Sequence, residues 1–165
     1  MCPSPWPDKH TIVHSLVAQI TEELAQMTRI ARDAANAVAH EENRAEGDKD
    51  MRSTEASYLA RGQAGRVQEL EHTITALSAL ELKRFDSTTP IEASALVMLG
   101  RAQRQSLYLL VPAGGGRKVT LHGVTVSTVT PTSPLGSALL GLVVGDEAEI
   151  SSPSDDIVYE VVAIC

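Results

Sequence analysis

Aromatic side chains are scarce: one Trp, three Tyr and one Phe in 165 residues. Neither half of the chain can build a core around large rings, so small cores of Val, Leu, Ile and Ala are expected. Cysteine is scarcer still. Cys2 and Cys165 stand at opposite ends with none between them, which offers neither a disulfide framework nor a metal-type Cys spacing and suits a reducing cytoplasm. Positive charge is also short, since 14 Lys and Arg against 21 Asp and Glu leave a formal net charge of −7. Unaided binding to duplex nucleic acid depends on Lys and Arg neutralising phosphates, so this balance favours a protein partner instead. No apolar run approaches the roughly 18 residues of a spanning helix. The opening Met1-Cys-Pro-Ser-Pro-Trp-Pro-Asp8 has neither the basic start nor the apolar centre of a secretory signal. The chain reads as cytosolic and soluble, with no membrane partner.

What is present is a pair of matched apolar stripes. Val13, Val17, Ile20, Leu24, Met27, Ala31, Ala34 and Val38 recur at alternating steps of four and three, the heptad spacing of a coiled-coil seam. Ala56, Ala60, Gln63, Val67, Leu70, Ile74 and Leu77 repeat that alternation. Between the stripes, Glu41 to Asp50 holds five carboxylates against two bases and no large apolar residue. An antiparallel helical hairpin with an acidic tip follows, over residues 8–82. Asp8 is placed to cap the first helix, which then runs to about Glu42, or about 50 Å at 1.5 Å per residue. Gly47 offers a break, and Ser53 or Thr54 can cap a return helix running to about Leu82.

Asp86-Ser-Thr-Thr-Pro90 reads as the end of a polar linker over 83–90. Beyond it the period changes to that of strands: 95–99, 106–111, 118–121, 124–129, 148–150 and 157–164. Ala113-Gly-Gly-Gly116 is expected to turn between two of them. Ser133-Pro134 opens a short amphipathic helix through Leu140, with Pro where its missing N–H costs nothing, and Gly141 closes it. The fold class is α+β, with residues 91–165 forming an antiparallel β-sheet domain that carries one short helix.

Several residues invite sharper readings. His10 and His14 stand four apart on one helix face, but two ligands with no third make a weak metal site, and surface histidines fit as well. Gly114-Gly-Gly-Arg-Lys118 lacks the spacing of a phosphate loop and reads as a hairpin turn. Arg29, Arg32, Arg61 and Arg66 flank the acidic tip on both helices. They suit either a basic strip or exposed salt bridges worth under about 1 kcal/mol each.

The run Val129-Thr-Pro-Thr-Ser-Pro-Leu-Gly-Ser-Ala-Leu-Leu-Gly-Leu-Val-Val-Gly-Asp146, followed by Tyr159-Glu160-Val161, resembles the C-terminal signature of the bacterial GreA/GreB transcript-cleavage factors. Glu42-Asn-Arg-Ala-Glu-Gly-Asp48 with Glu55-Ala-Ser-Tyr58 is similar to that family's finger tip. The resemblance covers nearly the whole chain. It implies a coiled-coil finger followed by an FKBP-like domain, and a partner in the RNA polymerase core, entered through its secondary channel. Nascent RNA and template DNA would be met only within the elongation complex, and the factor would act as a monomer. Ser133, Pro134, Leu135, Gly136 and Asp146 become candidates for the docking surface. Arg29, Arg32, Arg61, Arg66 and Tyr58 become candidates for contact with RNA or polymerase. The resemblance also implies that tip carboxylates help hold a second Mg²⁺, which the polymerase uses and this chain does not bind alone, so the polymerase remains the enzyme.

The tip departs from the family pattern. The family's two acids stand three apart after a Gly, close before the Tyr, whereas Gly47 and Tyr58 here are eleven residues apart. Counting from Gly47 places Asp48 and Met51 at the acid positions, and counting back from Tyr58 places Met51 and Thr54 there. Asp48, Asp50 and Glu55 remain the candidate metal ligands. Two outcomes stay open: a factor that stimulates cleavage, and one that occupies or inhibits the channel without cleaving. A peptidyl-prolyl isomerase, suggested by the implied FKBP-like fold alone, and a coiled-coil scaffold are the readings from other classes.

Overall fold

A computed structural model describes residues 6–42, 50–151 and 156–165, with side chains outside 34–61. Two long helices come first, α1 over Lys9–Glu42 and α2 over Asp50–Ser78. The sheet strands follow: β1 Leu96–Arg101, β2 Arg104–Leu110, β3 Lys118–Leu121 and β4 Val124–Val129. The short helix α3 spans Pro134–Leu139, and β5 Glu147–Ile150 and β6 Ile157–Ile164 complete the chain. The chain divides into two compact units, one of residues 18–75 and one of residues 1–17 with 76–165.

Asp8 starts α1 as its residue type suggests, because its carboxylate accepts from the Thr11 amide at 3.0 Å and so satisfies a first-turn donor. The buried positions at the start of α1 are Ile12, Leu16 and Ile20, while Val13 and Val17 are half-buried. The buried face at the start of α1 therefore opens on Ile12 and Leu16 and not on Val13 and Val17, and meets the heptad reading at Ile20. Adjacent apolar pairs, Ile12-Val13 and Leu16-Val17, make a face broader than two positions per heptad, and spacing alone does not rank the members of each pair. In α2 the buried positions are Leu70, Thr73 and Leu77. Thr73 hides its hydroxyl by donating to the Glu69 carbonyl at 2.8 Å.

The return helix already includes Asp50, ahead of the Ser53 or Thr54 expected to cap it, and stops at Ser78, short of the expected Leu82. Tertiary bonding decides the end. The Lys83 amide donates to Ser94 Oγ at 3.0 Å and Phe85 is buried in the sheet core, which draws residues 80–85 away from helical geometry. Asp86 then organises a tight turn, accepting from the Thr88 amide at 2.9 Å and from the Thr88 and Thr89 hydroxyls at 2.8 Å each.

The sheet has the order β3-β4-β2-β1-β6-β5. Four of its pairings are antiparallel, but β2 and β4 run parallel, from Leu107 beside Val126 to Leu110 beside Val129. The expectation of a wholly antiparallel sheet is corrected here. After β2 the chain passes to the edge, forms β3, and returns as β4 into the space between β3 and β2. The segment 113–116 is consequently a crossing and not the hairpin turn expected of it. It is pinned to β4, where Thr128 Oγ1 donates to the Gly114 carbonyl at 2.7 Å and the Gly116 amide donates to the Thr128 carbonyl at 2.8 Å. The true two-residue hairpins are Ala102-Gln103 and His122-Gly123, all four with positive φ. The core of this unit joins Phe85, Ile91, Val97, Leu99, Leu110, Leu139, Val161 and Ile164.

Cys165 is disulfide-bonded, which corrects the reading of the cysteines as offering no disulfide; its partner lies outside the described residues.

Candidate functional site

The surface around α3 is the better described of the two candidate regions. Ser133 is the N-cap, its hydroxyl accepting from the Gly136 amide at 3.0 Å and donating to the Thr130 carbonyl at 2.8 Å. Pro134 follows at the first helical position. Gly136 is buried because nothing larger fits: a Cβ there would lie 1.9 Å from the Thr130 carbonyl oxygen. Gly141, with φ of +81°, ends the helix in the left-handed region that glycine occupies without strain. Asp146 closes the next turn, accepting from the Val143 amide at 2.9 Å through its carboxylate. The whole motif is thus a set of backbone requirements. It leaves Pro134, Ser137 and Leu140 outward, and Leu140 is 43% exposed despite its apolar side chain.

The helical candidates are less fully placed. Arg29 and Arg32 lie exposed on α1. The Arg66 guanidinium joins α2 to α1, donating to Glu23 at 3.0 Å and to Glu69 at 2.8 Å. Those two hydrogen bonds, to Glu23 first and then Glu69, raise its already high pKa. Asp50 is the first residue of α2, and Glu55, Tyr58 and Arg61 follow within it; their side chains, like all of Asp48, lie outside the described residues. His10 and His14 are both exposed, and among the described residues no three His, Cys, Asp or Glu converge as a metal site would require.

One polar centre has no counterpart in the sequence reading. Lys9, in the first turn of α1, is only 8% exposed. Its ammonium donates to the main-chain oxygens of Ser94 at 3.1 Å, of Cys165 at 3.2 Å, and of Lys83, and stands 4.9 Å above the Phe85 ring. Burial pushes the ammonium's pKa down, while the neighbouring Asp8 carboxylate acts the other way. Three carbonyls and a ring face give the cation enough partners to remain charged away from water. A cleft of about 370 Å³ opens beside it, bordered by His10, Leu82, Arg84 and Phe85. Only the position of Lys9 directly after a capping Asp hints at this role in the sequence.

Elsewhere, hydrogen bonds from the Thr88 amide, then from the hydroxyls of Thr88 and Thr89, hold the Asp86 carboxyl down to about 2. Desolvation raises the Tyr108 phenol, and the nearby Tyr159 adds to the effect. Among the described residues no helix is long and apolar enough to cross a membrane.

Residues 104–165 match the family described as transcription elongation factor, GreA/GreB, C-terminal. A transcription elongation factor GreA of Methylobacterium sp. (strain 4-46) is 32% identical over 165 residues, spanning 95% of this chain and 97% of its own. A second GreA, of Xanthomonas axonopodis pv. citri, is 27% identical over 153 residues, covering 88% and 90%. Among solved structures, Thermus aquaticus Gfh1 aligns over 94% of this chain and 92% of its own at 20% identity, with a TM-score of 0.37.

Proposed function

The chain belongs to the GreA/GreB transcription elongation factor family, and from that premise we propose that it binds the RNA polymerase core through the secondary channel and regulates elongation, by stimulating cleavage of backtracked transcripts. The observation that carries this reading is the match over nearly the full length of a GreA relative, with both the helical and sheet portions included. Helices α1 and α2 serve as a coiled-coil finger over 8–82, residues 83–90 as the joint, and residues 91–165 as an FKBP-like docking domain. The docking face is the one around Ser133, Pro134, Leu135, Gly136 and Asp146, where Leu140 offers apolar surface to a partner. The factor acts as a cytoplasmic monomer, and RNA and template DNA are met only inside the elongation complex.

Asp48, Asp50 and Glu55 bring oxygen donors of the class that Mg²⁺ accepts. When held jointly with the polymerase, that ion would supply an activated water and stabilise a leaving oxygen. The residues of this chain position carboxylates, and hydrolysis belongs to the polymerase. Arg29 and Arg32 on α1, with Tyr58 and Arg61 on α2, are the proposed contacts to transcript or channel wall. Arg66 shares that role less freely, because Glu23 and Glu69 already engage it. The eleven-residue interval from Gly47 to Tyr58 favours a second outcome within the same site, occupancy or inhibition of the channel without cleavage. Isomerase activity is disfavoured, since Phe85 lies buried beneath Lys9.

The test is transcript cleavage in a stalled, backtracked elongation complex, run beside a pull-down on core polymerase. Faster cleavage that is lost in Asp48→Ala/Asp50→Ala supports the stimulating factor. Binding with unchanged or slowed cleavage identifies the channel-occupying regulator, and absence of binding overturns the proposal.

A further inference from the structure

Cys165 directly follows β6 and is only 7% exposed. Its main chain exchanges both hydrogen bonds with Leu96, at 2.8 and 2.9 Å, and its oxygen also accepts from the Lys9 ammonium at 3.2 Å. Its sulfur is engaged in a disulfide. The sequence holds one other cysteine, Cys2, which lies outside the described residues. Lys9 stands seven residues on from Cys2, and seven extended residues reach about 23–25 Å. The contact between Lys9 and Cys165 therefore brings the one available partner in the same chain within range. Disulfides are rare in the cytoplasm proposed above for this chain, and those that form there are usually transient or redox-sensing.

The surroundings of Cys165 suit exchange. It borders the cleft of about 370 Å³ beside Lys9, which Lys9, His10, Lys83 and Arg84 line together with the side-chain carboxylate of Asp8. Glu92 pairs with Lys83, at 2.8 Å. The cations still outnumber the carboxylates, and positive surroundings favour a thiolate over a thiol and make it the better leaving group. Cys165, shielded and next to the cations, is thus the sulfur that leaves, and Cys2 the one attacked.

We propose that Cys2 and Cys165 form a reversible redox couple that ties the segment ahead of α1 to the end of β6, exchanging with thiols and disulfides of the glutathione class. In reduction, a glutathione thiolate attacks the Cys2 sulfur, the S–S bond breaks, and Cys165 departs as a thiolate, leaving a mixed disulfide on Cys2. A second glutathione thiolate attacks the glutathione sulfur of that mixed disulfide, and Cys2 departs in turn. The protein disulfide has then gained two electrons and, on protonation, two protons, while two glutathiones have become one glutathione disulfide. Oxidation is the reverse, with glutathione disulfide as the oxidant. The closed bond joins residues 163 positions apart, so it restrains the unfolded chain strongly and holds the first turn of α1 on the sheet unit. The proposal takes only the compartment from the function proposed above, and its test needs no polymerase.

The experiment equilibrates the full chain in buffers of varied reduced to oxidised glutathione, blocks free thiols by alkylation and counts them by intact mass. Both thiols are expected to appear and vanish together in one two-electron transition that does not depend on protein concentration. The oxidised form should melt about 5 °C or more above the reduced form. That difference should disappear in Cys2→Ser and in Cys165→Ser, each of which should melt like the reduced wild type. Limiting glutathione should leave its mixed disulfide on Cys2, as read by peptide mass. A bond that resists the most reducing buffer overturns the proposal in favour of a permanent structural disulfide. Two thiols that stay free in the most oxidising buffer, a disulfide-linked dimer, or equal melts of the two forms overturn it as well. A mixed disulfide found on Cys165 overturns the order of exchange assigned here.

Discussion

The ammonium of Lys9 reaches the main-chain oxygen of Cys165 at 3.2 Å, joining residues 156 positions apart in sequence. Because the same ammonium also satisfies Ser94 and Lys83, one side chain holds the start of α1 to three separate stretches of the sheet unit. Replacing it with Met keeps most of the stem and removes the donors. Lys9→Met should lower stability by about 2–4 kcal/mol, since oxygens left unpaired cost about 1–3 kcal/mol each and relief from burying the cation offsets part of that. Urea unfolding with an unchanged slope checks it, and a loss under about 1 kcal/mol would show that water replaces the ammonium.

Gly136→Ala should be among the most damaging single changes to the sheet unit. The added Cβ would sit 1.9 Å from the Thr130 carbonyl oxygen, a backbone atom that Ser133 also holds. Relief requires α3 to shift, at about 3 kcal/mol. A thermal melt reads this directly, and a variant within about 1 kcal/mol of wild type would mean that the Thr130–Gly136 turn has slack.

Ser133→Ala separates capping from packing at the same motif. It removes the acceptor for the Gly136 amide, so a loss of about 1 kcal/mol is expected. Ser133→Asp should restore most of it, because a carboxylate caps as well as a hydroxyl. Failure of that rescue would point to the hydroxyl's donation to Thr130 as the more important bond.

Asp86 gives a pH dependence of known sign. Its folded pKa, about 2, lies below the ordinary 3.8, so the charged form is favoured by folding. The stability it contributes is present above about 3.8 and is lost as pH falls through about 2. A carboxyl-carbon titration by NMR should show a midpoint near the lower value, and one near the ordinary value would show that the Thr88 and Thr89 bonds are not held in solution.

Much of the fold is legible in the sequence where short-range chemistry decides it. The Asp8 cap, the bounds of β3, β4 and β6, and the Ser133-Pro134 opening of α3 all follow from residue type and period. Long-range choices are not legible. Nothing in Leu107 to Leu110 says that β4 will lie beside it in parallel, because strand pairing is selected by the completed core and not by either strand. The end of α2 likewise depends on Ser94, eleven residues beyond Lys83. In the candidate site, the α3 signature was readable, but its residues are revealed as backbone requirements. Lys9 was missed because a lysine beside a capping Asp ordinarily lies in water.

The position of β6 sets the order in which this protein can acquire its shape during synthesis. Although it is the last strand in sequence, β6 lies between β1 and β5. As the chain emerges from the ribosome, β1 and β5 each present an unpaired edge until residues 157–164 follow. Such an edge invites pairing with a neighbouring nascent chain. A ribosome stalled short of Ile157 would therefore hold a chain with its helices made and its sheet open through the middle, which marks that interval as the one in which chaperones matter most.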